Sequence, residues 1–153
     1  MSTTQVRVLL FIAVVLVLGS VNASIVAKER IKTQGERIYL ALAPVDPRSL
    51  MQGDYMALRF ELANSIQAEA EGSAPLFIDE RGIATLNASP ATARLHIRYR
   101  VRNGQVWLGT NAYFFEEGTA GRYARARYGE FRVDRDSGEA VLVALADENL
   151  KPQ

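Results

Sequence analysis

From Val8 to Leu18 the chain reads VLLFIAVVLVL, without a polar side-chain atom, and Gly19 to Ala27 continues with small or apolar residues interrupted only by Ser20, Asn22 and Ser24. At a rise of about 1.5 Å per residue, the twenty positions from Val8 to Ala27 make a helix of about 30 Å, the thickness of the hydrocarbon layer of a bilayer. A run of this kind at the start of a chain either crosses a membrane or is removed as an export signal. Arg7 precedes the apolar run, and Val21-Asn22-Ala23 has small residues at the two places a signal peptidase inspects, so cleavage near Ala23 is the competing reading. The anchor is preferred because Ile25 to Lys32 carries helix formers straight on to Gly35, a residue suited to a helix C-terminus. Flanking charge does not orient the helix, since Arg7 and the α-amino group on one side are nearly balanced by Lys28, Arg30 and Lys32 against Glu29 on the other.

The chain therefore divides into a flank at 1–7, a transmembrane helix at 8–27, a helical juxtamembrane linker at 28–35 and a β-rich extracytoplasmic domain at 36–150. The last is long enough to bury a real core and too short for two catalytic domains. Eighteen Lys plus Arg against seventeen Asp plus Glu leave a net charge of +1, which argues against a general nucleic-acid binder. The absence of cysteine excludes disulfide scaffolds, thiolate metal sites and cysteine nucleophiles. His96 is the only histidine, which makes histidine-rich metal sites and most Ser-His chemistry hard to build.

Beyond Gly35 the hydrophobic period is two, the mark of half-buried strands. Ile38 to Ala43 reads as a first strand, ended by Pro44 and Asp46-Pro47. In the next, Met56, Leu58, Phe60 and Leu62 share the core face. Ala63 to Gly72 is polar and fits a helical turn or loop, after which come Pro75 to Ile78, the turn Glu80-Arg81-Gly82 and Ile83 to Leu86. Asn103-Gly104 is the preferred pair for a type I′ hairpin. A two-residue loop there sets Arg102 against Gln105, Val101 against Val106 and Arg100 against Trp107, and the register continues back to Arg94 against Tyr113. The faces then sort: Leu95, Ile97, Tyr99 and Val101 on an apolar side, Arg94, His96, Arg98, Arg100 and Arg102 on the other with Trp107 and Tyr113. A second hairpin at Asp136-Ser137-Gly138 joins Tyr128–Arg135 to Glu139–Leu145, and Glu116 to Arg127 includes a short helix. Seven or eight short strands without helix-strand alternation give a mainly β fold: a small antiparallel sandwich or partly closed barrel with one N-terminal transmembrane helix. Core duty falls to Leu58, Phe60, Ile97, Tyr99, Val133 and Val141.

The stretch from Pro44 to Phe60 has a local logic. Asp46-Pro47 starts a turn, Gly53 supplies a backbone conformation that other residues avoid, and Asp54 can cap backbone N–H groups or pair with Arg48. Gly53, Asp54, Tyr55 and Leu58 match the motif that names the bacterial GDYXXLXY proteins, with Phe60 in place of the final Tyr, and Ala126-Arg127-Tyr128-Gly129-Glu130 is similar to a later block of that family. The likeness covers roughly Gly35 to Leu150. It implies a membrane-associated protein, commonly with one amino-terminal helix, and brings no assigned activity with it.

Three functions compete. The first is anion binding, to lipid phosphate, lipopolysaccharide or a cell-wall polymer, by the hairpin face carrying Arg94, Arg98, Arg100, Arg102 and Trp107. Against it stands a solvated face, neutralised by Glu130 and Asp134, with Arg100 on Trp107 and Arg94 on Tyr113 as cation–π pairs. The second is hydrolysis. Pro47 to Asp54 is faintly similar to the serine-bearing segment of type I signal peptidases, but Val45 occupies the nucleophile's position, and Ser49, His96 and Asp54 form a triad in name only. Asp79-Glu80, Glu116-Glu117 and Asp134/Asp136 are poor chelators or ordinary turn residues, so no metal or cofactor is expected. The third, and preferred, is a binding or accessory module for an integral membrane partner, using Asp46, Arg48, Gly53, Asp54, Tyr55, Leu58 and Phe60. The expected location is a bacterial inner membrane, with the β domain on the periplasmic side and no nucleic-acid partner.

Overall fold

The computed structural model describes residues 2–43, 51–52, 55–87, 89 and 93–153. A single helix, α1 (Thr3–Gln34), opens the chain. Ser2 caps it: its Oγ accepts from the Gln5 backbone N–H at 3.3 Å while its own N–H donates to Gln5 Oε1 at 2.8 Å. Large apolar side chains such as Leu9, Phe11, Leu16 and Val26 stand exposed around its circumference, and Ile31 is its one buried residue. A helix apolar on every side is matched to lipid, and α1 is long and apolar enough to cross a membrane. Its few polar side chains turn back on their own helix. Ser20 Oγ donates to the Val17 carbonyl at 2.8 Å, Asn22 Nδ2 to Leu18 at 2.9 Å and Ser24 Oγ to Ser20 at 3.0 Å, which lowers the cost of carrying these donors through apolar surroundings.

The helix ends at Gly35 by close approach rather than by a left-handed turn. Gly35 has φ −62°, which any residue adopts, but a Cβ there would lie 2.5 Å from the Ile31 carbonyl oxygen and 3.0 Å from Val133 N. The C-terminal turns of α1 thus press directly onto the sheet that contains Val133.

Ten strands come after the helix among the described residues, rather than seven or eight, in three antiparallel sheets. The first orders β1 (Glu36–Ala41), β9 (Tyr128–Val133) and β10 (Ala140–Ala146), with Ile38 opposite Phe131 and Leu142 opposite Phe131 on the other side. The second orders β2 (Met51–Gln52), β3 (Tyr55–Ala57) and β8 (Ala112–Phe114). The third orders β5 (Ala84–Leu86), β4 (Gly72–Ile78), β6 (Leu95–Arg102) and β7 (Gln105–Trp107). The sheets curl toward one another: Tyr39 N donates to the Gly82 carbonyl at 2.9 Å, Arg98 N to Gly138 at 2.7 Å, and Leu42 bridges to Phe60. One core fills the space between them, with Ile38, Leu40, Phe60, Leu76, Ile97, Leu108, Phe131 and Leu145 almost fully buried.

Four of the six expected core residues, Leu58, Phe60, Ile97 and Val133, are buried, and Tyr99 packs half-buried against the cluster. Val141 does not belong to it. It stands opposite Arg132 on the outer side of the sheet, and a bulge between Leu142 and Ala144 then shifts the register of β10. The expected strand through Leu62 is also shorter than its pattern. Met56, Leu58, Phe60 and Leu62 are all buried as the alternation requires, yet β3 stops at Ala57 and a short helix α2 (Glu61–Ser65) takes over.

The hairpin at Asn103-Gly104 has the expected register through its first three pairs, with φ +52° at Asn103 and +72° at Gly104, both positive as a type I′ turn needs. Its extension to Arg94 and Tyr113 does not form. β4 pairs with the other edge of β6, while on the hairpin's own edge Arg98 N donates to the Gly138 carbonyl at 2.7 Å, and the chain leaves β7 at Leu108-Gly109 so that β8 can pair with β3. The second hairpin joins β9 to β10 as expected. Asp134 Oδ1 accepts from both Ser137 N and Ser137 Oγ at 2.8 Å, and these bonds hold its carboxyl below the ordinary Asp range. A 3-10 turn at Ala120–Arg125 supplies the short helix before β9.

Candidate functional site

Two surfaces compete for function. Of the motif residues, Asp46, Arg48, Gly53 and Asp54 lie outside the described residues, as does Ser49. The remainder has a clear division of labour. Leu58 and Phe60 are 2% and 1% exposed, and Phe60 packs edge-on against Phe131 with ring centroids 5.1 Å apart. The Leu58 N–H donates to the Asn111 carbonyl at 2.7 Å and the Arg59 carbonyl accepts from Ala43 N at 2.8 Å, so the backbone between them ties the sheet of β3 to the end of β1. The second half of the motif is thereby a packing and linking element. A phenol at position 60 would place its hydroxyl in the core.

Tyr55 is different. It is half-buried on β3, opposite Phe114 of β8, and the two rings lie 5.7 Å apart. Phe114 is 75% exposed, the most exposed large apolar side chain among the described residues of the β domain. Beside it opens a cavity of about 430 Å³ lined by Phe114, Phe115, Glu116, Thr119, Arg122 and Tyr123. Tyr113, on the same strand, sits edge-on to Tyr123 at 5.2 Å. Burial, and then its hydroxyl contact with Tyr123, raises its phenol above the ordinary tyrosine range, with Arg122 opposing.

With this geometry, the family model for the GDYXXLXY proteins matches residues 17–145, from within α1 to the end of β10. The chain belongs to the GDYXXLXY family. No curated protein and no solved structure matches it. The matched region takes in the second half of α1, the strand carrying the motif and the residues of the second surface.

That surface is the outer face of β6. His96, Arg98, Arg100 and Arg102 alternate with the core residues Leu95 and Ile97 and are exposed, as the period-two pattern requires. Arg94 is exposed as well but stands before the strand, apart from the pocket that the other arginines line. The other three arginines meet Trp107, Lys28 and Glu139 around a pocket of about 190 Å³. Arg102, the diagonal neighbour, holds the cation–π position 5.4 Å from the Trp107 ring, although Arg100 is Trp107's partner in register. Arg94 and Tyr113 make no such pair, since Tyr113 belongs to the Tyr123 cluster.

Neither Glu130 nor Asp134 neutralises this face. Glu130 is buried and lies 3.6 Å from Arg132 on its own strand, and Asp134 is spent on its turn. The carboxylate that does reach the pocket is Glu139, in an ion pair with Lys28. Sequence reasoning missed both residues. Lys28 had a signal, as the first charge after the apolar run, but nothing local says that the end of α1 returns to the arginine strand.

Among the described residues, no three His, Asp or Glu side chains converge as a metal-binding set. Asp79 serves its own turn, accepting from Arg81 N at 2.9 Å and Ile83 N at 2.8 Å.

Proposed function

We propose that this is a single-pass protein of a bacterial inner membrane whose β domain lies on the periplasmic side and acts as a non-catalytic accessory module for an integral membrane partner. The observation that carries the reading is the Tyr55–Phe114 pair. Of the described residues of the family motif, Leu58 and Phe60 lie in the core while half-buried Tyr55 meets an aromatic ring, Phe114, that is 75% exposed beside a cavity. Exposed aromatic side chains at a cavity mouth are the usual anchors of protein interfaces, because they bury much area for little lost rotamer freedom. Arg7 ahead of an apolar run supports export of the β domain, and retention of α1 holds that domain beside the bilayer, where its partners are membrane proteins.

The test is site-directed photocrosslinking. A benzoyl-phenylalanine at position 114 keeps an aromatic ring there, and in the full-length chain in its own membrane it is expected to yield a discrete adduct with an integral membrane protein. The same probe at exposed Ser73 of β4 is expected to yield none. No adduct at 114, or the same adducts at both positions, would remove the Phe114 surface as the docking site.

A further inference from the structure

We propose that the pocket between the end of α1 and the arginine face of β6 binds the phosphate of an anionic lipid headgroup in the membrane that α1 crosses. The inference rests on α1 remaining a membrane span and is independent of the partner at Phe114. Lys28 is the first charged residue after the apolar run ending at Ala27, so it stands where hydrocarbon gives way to headgroups. Lys28 also lines the pocket with Arg98, Arg100 and Arg102. The fold therefore delivers three arginines, far away in sequence, to headgroup depth. A surface that merely solvated its charges would have no need to be held there.

Charge and shape fit the ligand. Four cations surround the pocket against the single carboxylate of Glu139, leaving three positive charges in excess. Guanidinium groups match the oxygens of a phosphate through paired N–H donors, which lysine cannot do. Trp107 gives the pocket a flat aromatic wall, and its indole Nε1–H is buried without an acceptor among the described residues. Glu139 is the built-in competitor: it engages Lys28, and an arriving phosphate replaces one anion by another.

Trp107 is the sole tryptophan of the chain, so its fluorescence reports on this pocket alone. The full-length protein in phosphatidylcholine nanodiscs is titrated with an increasing fraction of phosphatidylglycerol. A saturable change in Trp107 emission is expected. Neutralising Arg98→Gln and Arg100→Gln together should weaken the response about 25-fold, since each basic side chain at an anionic surface contributes roughly a factor of five. Glu139→Gln should act in the opposite direction and move the midpoint to less anionic lipid, an outcome that impaired folding does not produce. Both variants should match the wild-type emission in pure phosphatidylcholine. No response to phosphatidylglycerol, or one that the arginine pair does not alter, would overturn the proposal. An equal response to inorganic phosphate in phosphatidylcholine discs would overturn the lipid assignment and leave a site for free phosphate.

Discussion

Phe60→Ala is expected to destabilise the β domain by about 3–5 kcal/mol, the range for truncating a fully buried aromatic ring. Phe60 is 1% exposed, meets Phe131 edge-on at 5.1 Å, and is the residue through which the chain bridges to Leu42 beside β1. Its ring also fills the space above Gly129, where an added Cβ would come within 2.9 Å of the Phe60 ring. Losing it removes apolar contact from two sheets and leaves a cavity that the Gly129 backbone is too short to fill. Small domains are stable by only about 5–15 kcal/mol, so the loss is a large part of the whole. Urea unfolding of the full-length protein in detergent measures it as a lower midpoint with little change in slope. A cost below about 1 kcal/mol would mean that the ring is not in the core and that position 60 is available for binding after all. Phe114→Ala, at the exposed end of the same region, is expected to change stability by less than about 0.5 kcal/mol.

Gly109→Ala is expected to cost about 2–5 kcal/mol, from two separate causes. Gly109 has φ +69°, a left-handed conformation that costs a residue with a side chain about 1–2 kcal/mol. Its missing Cβ would also lie 2.8 Å from the Ala140 carbonyl oxygen, which belongs to the backbone and cannot swing aside. Forcing that contact adds about 1–3 kcal/mol. Gly104 supplies the control, since its φ is +72° but nothing lies within 4 Å of the added atom, so Gly104→Ala should cost only the first amount. Equal costs at the two positions in the same urea experiment would refute the close approach of β7's end to β10. The contrast bears on function as well, because that approach brings Glu139 to the arginine face.

What the sequence makes legible is what neighbouring residues decide among themselves. The alternation along Leu95 to Arg102 is enough to sort arginines from core, and Asn103-Gly104 or the Asp134 turn needs only local backbone geometry. The long hairpin fails because local pattern does not say that the β9–β10 turn takes the same edge of β6, where Arg98 N donates to the Gly138 carbonyl. Leu108 is as apolar as an extended strand would want, but its neighbour Gly109 turns the chain away to serve β3. The strand through Leu62 fails for a related reason: Leu58 and Leu62 are also four apart, so a period-two run that short is compatible with a helix starting at Glu61. Gly35 is legible as a terminus but not for its reason, since the atoms it must avoid include Val133, almost a hundred residues on. Lys28 beside Glu139, and Phe114 beside Tyr55, are likewise products of tertiary placement.

Everything proposed for the two surfaces depends on α1 staying attached and in the bilayer. A carboxy-terminally tagged full-length chain, recovered from membranes after alkaline carbonate washing, should have an intact mass that includes all of residues 8–27. A soluble chain whose mass begins at Ser24 would mean that the helix is an export signal, that Lys28 is not held at a membrane, and that neither surface faces one.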